Sequence, residues 1–160
     1  MITQERVKEL FDYEDGHLIW KEDRRANKIK GQRAGTTNKD RYVEIKIENK
    51  LYRAHRLIFL WHWGYLPDIL DHIDGDFLNN KVGNLRECTK SENGCNSKTY
   101  STNTSGVKGV HRRKDSGRWV ATIGFEGKRY HGGYHDSIED AEEAVKALRE
   151  EHHGNFHRHN

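Results

Sequence analysis

Residues 71–93 read DHIDGDFLNNKVGNLRECTKSEN, a run that sets an Asp beside a His and follows them with asparagines at positions 84 and 93. Hydrophobic residues are sparse in it, so core packing does not account for its composition. Its pattern predicts strand, polar loop, returning strand and helix. ILDHIDGD delivers Asp71 and His72 to a strand end, with Gly75 permitting a sharp turn. NLREC is the returning strand. Thr89 and Glu92 have the spacing of a capping box, which starts a helix near Lys90 and places Asn93 in its first turn. Such a unit brings Asp71, His72 and Asn93 together despite their separation along the chain.

Those side chains suit phosphodiester cleavage. Asp and Asn oxygens are hard ligands, appropriate to magnesium or manganese. Two protein ligands leave positions for water and phosphate oxygens, so the ion can neutralise charge on a phosphoryl group. A His titrating near neutral pH can take a proton from the attacking water. Asn84 is neutral and able to hydrogen-bond across the loop, so it is expected to hold the loop and His72 in place. The blander reading, a turn acid and a surface His, accounts for the pair but not for the spaced asparagines. A calcium loop does not fit, because DHIDGD lacks the alternating ligands and terminal Glu. His55, upstream on a helix, has two readings, a neighbour of the site and a hydrogen-bonded structural residue; the second is the commoner, so His55 is left out of the site.

Working outward, Thr3–Phe11 has helical spacing, with Val7, Leu10 and Phe11 on one face. GHLIWK reads as a strand, and RYVEIKIENKLYRAHRL as a hairpin in which Val43, Ile45 and Ile47 alternate about an ENK turn. The polar, basic segment Arg24–Arg41 between them is expected to be a surface loop and an additional nucleic-acid contact. AHRLIFLWHWG is a helix with Leu57, Leu60 and Trp61 as its apolar stripe, ended by Gly64 and kept from resuming by Pro67. SKTYSTNTSG reads as a linker. Beyond it, VKGVHRR, GRWVATIGF and KRYHGGY are strands joined by KDSG and EG turns. SIEDAEEAVKALREEHHG is a helix, started by Ser137 and Asp140, with Ala141, Ala144, Val145 and Leu148 on one face. The expected fold class is α+β. A nuclease core with N-terminal strands and helices fills residues 1–98, a linker spans 99–104, and residues 105–160 form a three-stranded antiparallel sheet packed on one helix.

Bulk properties agree with this division. The chain has 160 residues, 33% apolar and 33% charged, with sixteen aromatics, which suits small, wet-surfaced cores. Its net charge is only +3, but unevenly spread. Lys21–Arg56 carries twelve Lys and Arg against five acids, Ser101–His135 seven against two, and Asp136–Glu151 two against seven. Basic stretches on both sides of an acidic motif suggest a polyanion gripped about a cation site. Trp119 reads as core. Cys88 and Cys95 make neither a disulfide framework nor a CxxC pair. No apolar run is long enough to span a membrane and MITQERVKELF is no signal peptide, so the expectation is a cytoplasmic protein without a membrane partner. A zinc reading of the tail EHHGNFHRHN is set aside, since it lacks a nearby Cys and continues a helix end.

The order Asp71-His72, Asn84, Asn93 resembles the HNH (ββα-metal) endonuclease motif, in the variant where Asn replaces the third His. RAHRLIFLWHWGYLP also resembles the segment that leads into this motif in phage and intron-encoded HNH enzymes. The match covers Arg53–Ser97 and lacks the CxxC pairs of zinc-nucleated members, so no structural zinc is expected. By that resemblance His72 is the general base, Asp71 and Asn93 hold one Mg2+ or Mn2+ ion, and Asn84 orders the loop. SGVKGVHRRKDSGRWVATIGFEGKRYHGGYHDSIEDAEEAV is similar to the APETALA-type (ethylene-response-factor) DNA-binding domain, whose sheet enters the major groove. That similarity implies that Lys108, His111, Arg113, Arg118, Thr122, Arg129 and His131 face DNA.

Together these resemblances imply a DNA endonuclease that leaves 5′-phosphate and 3′-hydroxyl ends on double-stranded DNA. The expected behaviour is nicking by a monomer, with double-strand breaks requiring dimerisation or two visits, in a phage or homing setting. The rival reading is a non-catalytic DNA-binding regulator with a decayed nuclease domain. The intact Asp71-His72-Asn84-Asn93 set argues against it.

Overall fold

The computed structural model describes residues 2–23, 28–97, 99 and 101–156, which divide into two compact units, residues 1–87 and 88–160. In the first, α1 (Gln4–Leu10) begins at Thr3, whose hydroxyl accepts the Arg6 N–H, and gives way at once to β1 (Phe11–Glu14). β1 pairs antiparallel with β2 (His17–Trp20). Asp15 and Gly16 turn the hairpin with φ of 42° and 87°, as a tight Asp-Gly hairpin turn requires. The helix therefore stops one residue earlier than its spacing predicts, and a second strand precedes the expected one.

β3 (Thr36–Thr37), β4 (Val43–Ile47) and β5 (Lys50–Arg53) form an antiparallel sheet in that order, with the β4–β5 hairpin where alternation placed it. Arg24 and Arg25 of the basic loop lie outside the described residues. α2 (Ala54–Trp63) follows β5 directly and ends at Gly64, whose φ is 78°. Val7, Phe11, Leu18, Ile45, Leu57 and Ile58 are each at most 1% exposed, so α1, α2 and the sheets close on one core. β6 (Leu70–His72) and β7 (Leu85–Glu87) then pair antiparallel, joined by a loop that ends in a 3-10 turn at Val82–Asn84.

The second unit starts with α3 (Lys90–Cys95), carrying the full Thr89–Glu92 capping box. β8 (Val110–Arg112), β9 (Trp119–Phe125) and β10 (Lys128–His135) form an antiparallel sheet in the order β10-β9-β8. α4 (Ile138–His153) packs on it, started by the Ser137 hydroxyl on the Asp140 N–H. Val110, Ala121, Ile123, Ala141 and Val145 make the core, and Trp119 packs against it. The α+β class holds. The division falls after Glu87, ahead of the expected linker at 99–104, because α3 is bonded to the C-terminal elements: the Glu126 N–H donates to Ser91 Oγ at 2.8 Å, and Lys108 Nζ to the Cys95 carbonyl at 2.7 Å. No helix among the described residues is long and apolar enough to cross a membrane.

Gly109 shows how tightly the second unit is closed. Its φ is +78°, and a Cβ there would lie 2.6 Å from the Thr122 carbonyl oxygen and 2.9 Å from Val145 Cγ2. Gly109→Ala should lower unfolding stability by about 2 kcal/mol or more, combining overpacking with left-handed strain, as measured by urea denaturation.

Candidate active site

β6 and β7 pair Asp71 with Arg86 and His72 with Leu85. Asp71 is 7% exposed, and both Nε and Nη2 of Arg86 donate to its Oδ2, at 3.1 and 3.0 Å. The carboxylate is thus fixed in orientation by a guanidinium on the opposite strand. His72, at the strand end, is 3% exposed. Its Nε2 lies 2.9 Å from Asn80 Oδ1. The contact holds the imidazole in one orientation at the strand end.

Three aromatic rings surround His72. His55 meets it edge-on at 5.0 Å between centroids, Phe77 lies at 5.8 Å, and Tyr42 at 6.5 Å stacks on Phe77. His55, read from sequence as structural, therefore belongs to the His72 environment. Burial first, then the neighbouring His72, Arg53 and Arg56, push its pKa down to about 3, so it is neutral at neutral pH.

Asn84 orders the loop by a reciprocal pair with Asp74. Its Oδ1 accepts the Asp74 N–H at 3.1 Å, and its Nδ2 donates to Asp74 Oδ1 at 2.9 Å and to the Asn79 carbonyl at 2.8 Å. Asp74 also accepts from the Asp76 N–H and from Asn79 Nδ2. Burial opposes the charged form of Asp74, but the Asp76 amide, Asn79, Asn84 and nearby His72 outweigh it and hold the carboxyl below its ordinary value. The expectation for Asn84 thus divides in two. Asn84 braces the loop, while the bond to His72 comes from Asn80, one of two adjacent asparagines that spacing could not rank. Asp74, Asn80, Arg86 and His55 are the site residues that the sequence reading missed.

Asn93 lies on α3, in the second unit, where its N–H closes the first helical bond onto the Thr89 carbonyl at 3.0 Å. Among the described residues no group of three or more His, Cys, Asp or Glu side chains is gathered to hold a metal ion. The expected donors are of another kind, a carboxylate and a carboxamide, and their hard oxygens fit magnesium or manganese. The buried, oriented Asp71 suits that role.

On the second unit's sheet, His111 lies opposite Val120, Thr122 opposite His131, and Arg129 opposite Gly124. His111, Arg129 and His131 are exposed and Thr122 half-buried, whereas Val110 and Ala121 turn the other way into the core. Arg113 and Arg118 are exposed and held in place, Arg113 by Asp115 and the Tyr134 hydroxyl, Arg118 by Asp136 and the Tyr134 carbonyl. Lys108 departs from its expected place. It is half-buried, and its ammonium donates to the carbonyls of Cys95 and Ser97.

A family model described as HNH endonuclease matches residues 52–95, which include Asp71, His72, Asn84 and Asn93. Protein 3.8 of Escherichia phage T7 is 39% identical over 118 residues, covering 71% of this chain and 97% of that protein. The chain belongs to the family of Protein 3.8 and carries an HNH endonuclease domain. No solved structure matches it. An HNH domain implies a nuclease that acts on DNA and depends on a metal. The β6–loop–β7 geometry lies wholly within the matched residues, and so does α3.

The depressed pKa of His55 makes a prediction whose sign is fixed. Above 6.5 the imidazole is neutral in both folded and unfolded chains; below it the unfolded chain takes up a proton that the folded chain refuses until about 3. Stability should therefore fall as pH drops from 6.5 towards 3, and His153, pushed down to about 4 chiefly by burial, adds to the fall. Urea midpoints at pH 7.5 and pH 5, compared between wild type and His55→Phe, should show a smaller difference in the variant.

Proposed function

We propose that this chain is a metal-dependent endonuclease that hydrolyses phosphodiester bonds of double-stranded DNA, with His72 as general base. One observation carries the reading: the buried contact between His72 Nε2 and Asn80 Oδ1, which fixes the imidazole in one orientation at the end of the β6 strand. In the reaction, water loses a proton to the His72 imidazole as its oxygen bonds to phosphorus. The bond from phosphorus to the 3′ oxygen breaks, that oxygen takes up a proton from solvent water, and the products carry a 5′-phosphate and a 3′-hydroxyl.

Neutral His55 beside His72 adds no competing positive charge, and the surrounding rings keep the imidazole in place. Asp71 and Asn93 would hold one Mg2+ or Mn2+ ion. When bound, such an ion neutralises charge on the phosphoryl oxygens and on the leaving oxygen. Arg86 keeps the Asp71 carboxylate in a single orientation and adds a fixed positive charge beside the phosphate. Asn84, acting through Asp74, sets the path of the loop between the two strands.

The exposed face of the β8–β10 sheet is the proposed grip on duplex DNA, carried by His111, Arg113, Arg118, Thr122, Arg129 and His131. Exposed basic side chains on a twisted three-stranded sheet supply salt-dependent affinity, and base reading rests on the few residues that reach groove edges. With one HNH motif per chain, a monomer nicks one strand per encounter, inside a bacterial cell infected by a phage. The regulator reading is disfavoured, because buried polar residues without a chemical role are costly to keep.

With supercoiled plasmid, wild-type protein should give open-circle product that requires Mg2+ or Mn2+. His72→Ala should slow it by about 10²–10⁴-fold, and Asn80→Ala by about 10–100-fold with metal dependence unchanged. Salt-sensitive DNA binding without any metal-dependent cleavage, on plasmid or genomic DNA, would overturn the nuclease in favour of the regulator.

Arg129→Ala tests the sheet separately. It should weaken DNA binding and reduce the slope of log affinity against log salt by about 1, measured by fluorescence anisotropy at several salt concentrations.

A further inference from the structure

We infer that the C-terminal domain is the platform that fixes α3, and that Lys108 is a positioning residue for Asn93. The inference rests on the proposed role of Asn93 as a metal ligand, but the anchoring itself can be measured without it.

α3 is only six residues long, too short to persist on its own helix propensity. Its first turn is closed by Thr89 and Glu92, with the Thr89 N–H donating to Glu92 Oε2 at 2.7 Å and the Glu92 N–H to Thr89 Oγ1 at 3.2 Å. Its last turn leaves carbonyls without helical partners. Ser97 Oγ donates to the Gly94 carbonyl, and Lys108 Nζ donates to the carbonyls of Cys95 and Ser97. A cation placed there also meets the negative end of the helix.

Lys108 is itself held. Its carbonyl accepts from Arg149 Nη2 on α4, and Arg149 is 1% exposed. Beside it, Gly109 lies against the Thr122 carbonyl of β9 with no room for a Cβ. A second tie is independent of Lys108: the Glu126 N–H, in the β9–β10 turn, donates to Ser91 Oγ. Cys95, 4% exposed, completes the seat. So the α4 guanidinium fixes Lys108, Lys108 holds the end of α3, and the β9–β10 turn holds its start. Asn93 sits between these ties. Two of the ammonium's three donors are committed to these carbonyls while α3 is seated.

The test uses the full chain. Hydrogen exchange is followed at the Asn93 and Asn96 amides, which bond to the carbonyls of Thr89 and Glu92. Lys108→Met should speed exchange there by about ten-fold or more, leave β9 protected, and leave the salt slope of DNA binding unchanged. Ser91→Ala should speed the same amides while preserving Lys108. In cleavage, Lys108→Met should raise the Mn2+ concentration for half-maximal rate by about ten-fold, and Lys108→Arg should recover part of the loss. Unchanged α3 exchange in both Lys108→Met and Ser91→Ala would overturn the inference. So would a salt slope lowered by about 1 in Lys108→Met with α3 protection intact, which would make Lys108 a phosphate contact. If exchange rises as expected but wild type cuts no DNA, the platform stands and the nuclease reading fails.

Discussion

The β6–β7 hairpin has to hold its ends in register across a long polar loop, and the reciprocal hydrogen bonds between Asp74 and Asn84 are what close that loop. The two strands are three residues each, so the ladder supplies little by itself. Apolar burial does not help, since Ile73, Phe77 and Leu78 are 45%, 40% and 38% exposed. The Ile73 N–H extends the ladder onto the Asn84 carbonyl, and the Asp74–Asn84 pair lies directly beyond it. From outside, the Tyr13 hydroxyl accepts the Val82 N–H, and the Gly16 turn approaches so closely that a Cβ would lie 2.9 Å from the Lys81 nitrogen. The N-terminal hairpin therefore buttresses the loop. Removing the Asp74–Asn84 contact would release both ends of the loop that carries Asn80, the partner of His72.

His55, Asp71, His72 and Asn80 are all under 10% exposed, in the same unit as a core of Leu, Ile and Phe side chains. A polar cluster in such a place destabilises unless its members satisfy one another. Here Arg86 satisfies Asp71, and Asn80 satisfies His72. His55 escapes the cost of a buried charge by remaining neutral. An apolar set of similar volume would pack there with fewer conditions, so the cluster is retained for what its atoms can do. Function accounts for it better than stability.

What could be read from the sequence depended on the range of the interaction involved. Short-range signals were decisive: alternation at Val43–Ile47, Gly64 behind α2, and the Thr89–Glu92 box all produced the elements they predict. The β1 strand was also encoded locally, in the Asp15-Gly16 turn between FDYE and HLIW. It was obscured because Phe11 continues the helical face of Val7 and Leu10. The choice between Asn80 and Asn84 as the partner of His72 depends instead on how a loop folds back, and nothing in a string of polar residues encodes that direction. His55 and Arg86 were hidden for a related reason. Their roles follow from cross-strand register and helix docking, which bring together residues 15 or more apart.

Lys108 shows how one residue type can carry two physical roles that sequence cannot separate. By its place in the resemblance to the APETALA-type domain, Lys108 reads as a DNA contact, where a lysine would supply salt-dependent affinity. The decisive quantity is the number of unsatisfied carbonyls within reach of the ammonium. A short helix ending close by offers several, and a lysine with three donors can bridge two of them while placing its charge at the negative end of the helix. The division of the chain follows from the same bonds. A composition-based boundary falls at the Ser, Thr and Asn run after residue 97, but the contacts assign α3 to the C-terminal unit. The residues of one motif, 52–95, are therefore shared between two cores, β6 and β7 stabilised by the first and α3 by the second.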